Sequence, residues 1–79
     1  MLFRSSEKKM NILIQLGMRI RYLRKQLNMS QLDLSIESDV NRNYISDLEK
    51  GRRNPTILVL NKIAIALNTD LSNLFKGIQ

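Results

Sequence analysis

The sequence predicts an all-α fold, a compact five-helix bundle, and three observations carry that expectation. A chain of 79 residues has room for one core, since a domain this small hides only about 60% of its unfolded surface. Its apolar bulk is Leu and Ile, with two Phe, two Tyr and no Trp, which suits interdigitated helices better than a sheet. From Asn11 onward, apolar residues recur at steps of three and four, punctuated by residues that cap helices.

Residues 1–10 mix Phe3 with Arg4, two Ser and Lys8-Lys9 and keep no period, so they are set apart as an N-terminal extension. The domain proper is expected over residues 11–79. Ile12, Leu16, Ile20, Leu23 and Leu27 mark one face of a first helix that ends at Asn28, a residue suited to a left-handed cap. Gly17 inside that helix costs about 1 kcal/mol against Ala. It is either a site of close backbone approach or simply tolerated.

Ser30 and Asp33 form a capping box with Asp in place of Glu or Gln, opening a second helix over Gln31–Glu37 that Ser38-Asp39 ends. Asn41 is the next good N-cap, and Tyr44, Ile45 and Leu48 give the apolar positions of a third helix that stops at Gly51. A basic loop, Gly51–Asn54, leads to Pro55 and Thr56, which announce a fourth helix over Ile57–Leu67. Asn68 caps its end. Thr69 then caps a last turn or two over Asp70–Phe75, where Leu71, Leu74 and Phe75 close the bottom of the core.

Composition removes several classes of function. The absence of Cys excludes disulfides and thiolate metal sites and points to a cytoplasmic address, and the absence of His removes the commonest general base and zinc nitrogen ligand. The acids, Glu7, Asp33, Glu37, Asp39, Asp47, Glu49 and Asp70, include no sequence-close pair in an apolar setting that would raise one carboxyl pKa. No enzyme, metal site or cofactor is expected. The longest apolar stretch, Ile12–Leu16, is broken by Gln15 and is too short to span a bilayer. Thirteen Lys and Arg against seven acids leave +6 on a small body, which favours a polyanion, nucleic acid before anionic membrane. The cations fall in groups: Arg19, Arg21, Arg24 and Lys25, then Arg42, then Lys50, Arg52 and Arg53.

Two short helices joined by a tight turn, with Leu34, Val40, Ile45 and Leu48 facing inward, have the spacing of a helix-turn-helix. Leu34 and Val40 plug the corner while Ile45 and Leu48 bury the back of the third helix. That leaves Arg42, Asn43, Ser46 and Asp47 at its front. Such a front fits the major groove, where N-terminal side chains of an inserted helix meet base edges and flanking cations grip phosphates. Arg42 suits guanine O6 and N7, and Asn43 suits adenine N6 and N7, each in bidentate fashion. Asp47 has two uses, accepting from cytosine N4 or pairing with Lys50. Tyr44 is a packing residue whose hydroxyl reaches a phosphate, Arg52 and Arg53 clamp the backbone or enter the minor groove, and Lys50 assists. Arg19 and Arg21 are either phosphate contacts or solubilising charge.

The run Gly17-x-Arg19-Ile20-Arg21-x-Leu23-Arg24, then Met29-Ser30-Gln31-x-x-Leu34, then Asn43-Tyr44-Ile45-Ser46-x-Leu48-Glu49-x-Gly51-x-Arg53-x-Pro55 closely resembles the Cro and lambda-repressor type of helix-turn-helix regulator. The resemblance covers residues 12–76, and Tyr-Ile-Ser-Asp-Leu-Glu with Gly-Arg-Arg-Asn-Pro looks most like controller proteins of restriction-modification systems. It implies that Gln31 contacts a phosphate and braces the recognition helix, helped by the helix N-terminus. It also implies an ion pair between Arg24 and Glu49, and Arg24 is counted among the phosphate contacts as well. Ser35 stands where that family usually has Ala at the helix crossing, and Asp39 where it usually has Gly, so Asp39 is expected to take a left-handed backbone. Leu32, Ile36, Leu58 and Ile65 are apolar where related sequences usually place polar residues.

In the fourth helix, Ile57, Leu60, Ile63, Ala64 and Leu67 suffice for the core, leaving Leu58, Val59 and Ile65 as a second apolar surface. Together with Ile78 they are expected to form a two-fold homodimer interface that sets two recognition helices about 34 Å apart along DNA. The competing use of residues 1–10, through Leu2 and Phe3, is to cover that surface. The function expected is a dimeric transcriptional regulator that reads a palindromic double-stranded operator. An antidote or adaptor that grips another protein is the alternative, supported by the surplus apolar surface. No small-molecule effector is indicated.

Overall fold

A computed structural model describes residues 11–79, so the expectations for residues 1–10 lie outside the described residues. Five helices are present among the described residues: α1 (Ile12–Gln26), α2 (Gln31–Ser38), α3 (Arg42–Glu49), α4 (Ile57–Ala66) and α5 (Leu71–Leu74). No strand occurs among the described residues.

Each helix begins where a side chain meets unpaired backbone N–H groups. Asn11 Oδ1 accepts from Leu13 N at 2.7 Å, Asn41 Oδ1 from Asn43 N at 2.8 Å, and Thr56 Oγ1 from Val59 N at 3.2 Å. The capping box is complete: Ser30 Oγ accepts from Asp33 N and Asp33 Oδ2 accepts from Ser30 N, both at 2.9 Å. The Ser30 backbone N–H, and then its hydroxyl, hold the Asp33 carboxyl below the usual aspartate value. At α5 the cap is Asp70 rather than Thr69, with Oδ1 accepting from Asn73 N at 2.8 Å. Thr69 Oγ1 instead accepts from Asn73 Nδ2.

Left-handed residues follow the helix ends, at Asn28 (φ 58), Asp39 (φ 59), Gly51 (φ 75) and Asn68 (φ 57). Asp39 thus adopts the conformation its place in the turn demands. Ser35 and Ser38 send their hydroxyls back to the carbonyls of Leu32 and Leu34, at 2.7 and 2.6 Å, which lets small polar residues sit on the inner side of α2.

Leu16, Ile20, Leu34, Val40, Ile45, Leu48, Leu60, Ile63, Ala64, Leu67 and Leu74 form one buried cluster, with Leu71 and Phe75 packed against it from below. Two expectations about faces need correction. In α1 the buried line is Leu16, Gly17, Ile20 and Arg24, while Ile12 and Leu27 are exposed. The helix is rotated toward its smallest residue, because that side allows the closest approach to α3. In α4, Ile57 lies outside the core and is exposed, whereas Val59 packs against the core and is half-buried.

Two glycines fix how α1 meets the end of α3. A Cβ on Gly17 would collide with the Leu48 carbonyl oxygen and stand 2.7 Å from that of Glu49. A Cβ on Gly51 would stand 2.6 Å from Ile14 Cγ1 and 2.9 Å from Ile14 Cα. Both neighbours of Gly17 are backbone, so neither can rotate away. Gly17→Ala is therefore expected to lower stability by about 1–3 kcal/mol despite the better helix propensity of Ala. Urea denaturation of the variant beside the native chain measures it, and a gain in stability would contradict the close approach.

Candidate nucleic-acid interface

The interface is built on α2, the turn Asp39-Val40-Asn41, and α3. Leu34, Ile45 and Leu48 have no exposed surface and Val40 has 9%, so the two helices share one buried corner. With Ile45 and Leu48 turned inward, Arg42 and Asn43 stand exposed at the first turn of α3, and Ser46 and Asp47 are half-exposed one turn on. The polar front inferred from the sequence is thus assembled on one helix.

Behind it lies a buried polar network. Arg24 Nε donates to Glu49 Oε2 at 2.7 Å and Arg24 Nη2 to Glu49 Oε1 at 2.9 Å, a parallel two-point pair between α1 and the last residue of α3. Arg24 Nη1 donates to the Met29 carbonyl at 2.8 Å, and Gln31 Nε2 donates to Glu49 Oε1 at 3.1 Å. The side chains of Arg24 and Glu49 are 9% and 4% exposed. Hydrogen bonding to Glu49 holds the Arg24 guanidinium above its usual pKa, against the opposing effect of burial. The assignment of Arg24 to a phosphate is corrected: all three of its nitrogens are engaged inside the protein, so it is a brace. Gln31 does brace α3 as the resemblance implied, through the same carboxylate.

Asp47 does not pair with Lys50. Its Oδ2 lies 3.5 Å from Nε of Arg53, and the Arg53 guanidinium carbon is 4.8 Å from the centroid of the Tyr44 ring. Tyr44 is half-buried against the core, as expected of a packing residue. Lys50, Arg52 and Arg53 are all exposed, and the Arg52 N–H donates to the Asp47 carbonyl at 2.9 Å, which ties the basic loop to α3. The Arg53 partnership was missed because it depends on how Gly51 turns the chain. Tyr44 and Asp47, three residues apart, were the available signal.

Arg19 and Arg21 separate in role. Arg19 donates through Nε and Nη2 to the Asn73 carbonyl at 3.3 and 2.9 Å, tying α1 to α5, while Arg21 is exposed. Among the expected dimer residues, Leu58 and Ile65 are 75% and 64% exposed. Val59 and Ile78 pack against the core, so the open apolar surface of α4 belongs to Ile57, Leu58 and Ile65. No helix among the described residues is long and apolar enough to cross a membrane.

Removing one member of the Arg24–Glu49 pair leaves a buried charge without its partner. Arg24→Met or Glu49→Gln is expected to cost about 3–5 kcal/mol, and the double variant less than the sum of the two. Equilibrium denaturation of the three variants measures the coupling, and simple additivity would contradict a direct pair.

Comparison with known proteins agrees with this geometry. A helix-turn-helix family profile matches residues 20–74. The control protein C.MunI of Mycoplasma sp is 36% identical over 70 residues, covering 87% of this chain and 95% of the relative. The crystal structure of the restriction-modification controller protein C.AhdI from Aeromonas hydrophila superposes with a TM-score of 0.78 at 35% identity, covering 80% of this chain and 96% of that one. The controller protein C.Esp1396I, solved as a tetramer with its natural 35 base-pair operator, gives 0.79 at 30% identity, covering 89% and 92%. The chain belongs to the helix-turn-helix family and is similar, over nearly their whole length, to its restriction-modification controller proteins.

Proposed function

We propose that this protein is a transcriptional regulator that reads a double-stranded operator as a homodimer and controls the genes of a restriction-modification system. The observation that carries the reading is the two-sided character of α3: Ile45 and Leu48 are fully buried while Arg42 and Asn43, one and two residues past the N-cap, are exposed. A rigid back and a free polar front are what insertion into the major groove requires. The similarity to a controller solved on its operator supports the same reading.

In this reading Arg42, Asn43 and Ser46 reach base edges. Gln31, Tyr44, Lys50, Arg52 and Arg53 lie against phosphates, with the net charge of +6 supplying affinity that falls steeply with salt. Gln31 keeps one amide hydrogen for a phosphate while the other holds Glu49. A cytoplasmic location follows from the partner.

The homodimer forms through α4. Leu58 and Ile65 are seven residues apart, two helical turns, and so share a face, and both are open to solvent. Two-fold pairing covers them and spaces the recognition helices for successive major grooves of a palindrome. Ile65→Asp is expected to give a folded monomer by sedimentation equilibrium with sharply weaker operator binding. A dimer unaffected by that change would contradict this interface.

Selection of bound sequences from a random duplex pool tests the whole reading, with a two-fold symmetric site as the expected result and no enrichment as the refuting one. On the selected site, Arg42→Ala is expected to cost about 1–3 kcal/mol and much less on random DNA. Fluorescence anisotropy on both duplexes measures this, and an equal loss on the two would contradict base reading.

A further inference from the structure

Asp47 is the residue on the front of α3 that a DNA-binding surface least suits. Its carboxylate is 37% exposed, one turn from Asn43, on a face that would lie among phosphates. Its neighbours supply a reason for it. The Arg53 guanidinium is held from two sides by side chains three apart on α3: the Tyr44 ring lies 4.8 Å from its carbon and Asp47 Oδ2 lies 3.5 Å from its Nε. The loop that carries Arg53 is itself anchored, through Gly51 N to the Leu48 carbonyl at 3.0 Å and Arg52 N to the Asp47 carbonyl at 2.9 Å. Ile14 packs against Gly51 from the other side. A long side chain on a loop would ordinarily sample many rotamers, and here the backbone just before it is anchored while its flat face and its Nε have partners on α3.

With Tyr44 against the flat face and Asp47 beside Nε, the Nη1–Nη2 edge of Arg53 remains for a pair of acceptors. Guanidinium uses that geometry on guanine O6 and N7 and on phosphate. We propose that Asp47 is a positioning residue for DNA recognition, orienting Arg53 so that its paired Nη groups meet acceptors on the duplex beside those reached from α3. This rests on the DNA-binding reading above. Asp47 acts through Arg53 and touches no base itself. Its negative charge weakens attraction to any duplex, while the fixed guanidinium strengthens binding to the correct one, so the residue serves discrimination more than affinity.

The test uses the full chain, with Asp47→Asn, Asp47→Glu, Arg53→Ala, Arg53→Lys and the Asp47→Asn/Arg53→Ala double variant. Dissociation constants are measured on the selected operator and on a scrambled duplex over a range of salt. Asp47→Asn is expected to hold or tighten binding to scrambled DNA while lowering the operator-to-scrambled ratio by about tenfold. Asp47→Glu is expected to keep most of the ratio, and Arg53→Lys to lose it, because an ammonium cannot stack and offer paired donors at once. In the Arg53→Ala background, Asp47→Asn is expected to have no further effect on the ratio.

Equal tightening on both duplexes would show only the loss of a repulsive charge and would overturn the proposal. An undiminished loss of ratio in the Arg53→Ala background would overturn it too, by making Asp47 a base reader in its own right. Melting of each variant separates these outcomes from misfolding, and an exposed ion pair contributes little to stability. Selection with Arg53→Ala is expected to relax the preference at one position of the site, which identifies a base; unchanged preference with a salt slope smaller by about one would make Arg53 a phosphate contact with no share in discrimination and would overturn the proposal. Failure of the native chain to enrich any sequence would refute the DNA-binding reading itself, a result distinct from every outcome among the variants.

Discussion

The structure depends on one close seam, where the backbone of α1 meets the C-terminal end of α3. Gly17 admits the carbonyls of Leu48 and Glu49, Gly51 turns the chain away beneath Ile14, and Arg24 closes the seam by taking the Glu49 carboxylate at two points. A recognition helix of eight residues is too short to be stable alone in water. Its orientation is therefore a property of what it is fastened to. Glu49, its last residue, is gripped by a side chain from α1 and another from the start of α2, so three helices share a single carboxylate.

That arrangement explains why a costly buried ion pair is kept in so small a core. A well-packed apolar contact could give equal stability, but apolar contacts slide, whereas a two-point guanidinium–carboxylate pair fixes distance and angle together. The proposed reading of base edges needs side chains held to a fraction of an ångström, and Arg42 and Asn43 are both exposed. Their precision is inherited through Ile45 and Leu48, which are completely enclosed, and through the braced end of the helix.

Charge is arranged with the same economy. Arg24 is consumed as a brace, its charge offset by the Glu49 carboxylate, and Arg19 is tied to the neutral Asn73 carbonyl, which fixes its position and leaves its charge in place. Arg42, Lys50, Arg52 and Arg53 are exposed around α3 and its following loop. A count of cations along the chain overstates the interface by treating Arg24 and Arg42 alike. Burial separates them, and burial is decided by which face of α1 turns inward.

The sequence by itself determined the helices and most of their limits, because caps and left-handed stops act over three or four residues: Ser30 with Asp33, Asn41, Thr56, Asn28, Asp39 and Gly51 all behave as their local chemistry requires, while the last cap falls on Asp70 instead of Thr69. It determined the polar front of α3 for the same reason, since a helix that buries Ile45 and Leu48 on one side leaves Asn43, Ser46 and Asp47 on the other. Only the tertiary structure decided which face of α1 is core, that Ile57 stays outside while Val59 and Ile78 pack inward, and that Asp47 meets Arg53 instead of Lys50. Those outcomes depend on how elements distant in sequence approach one another. Periodicity reports the faces an element has to offer, and the packing of its partners selects among them.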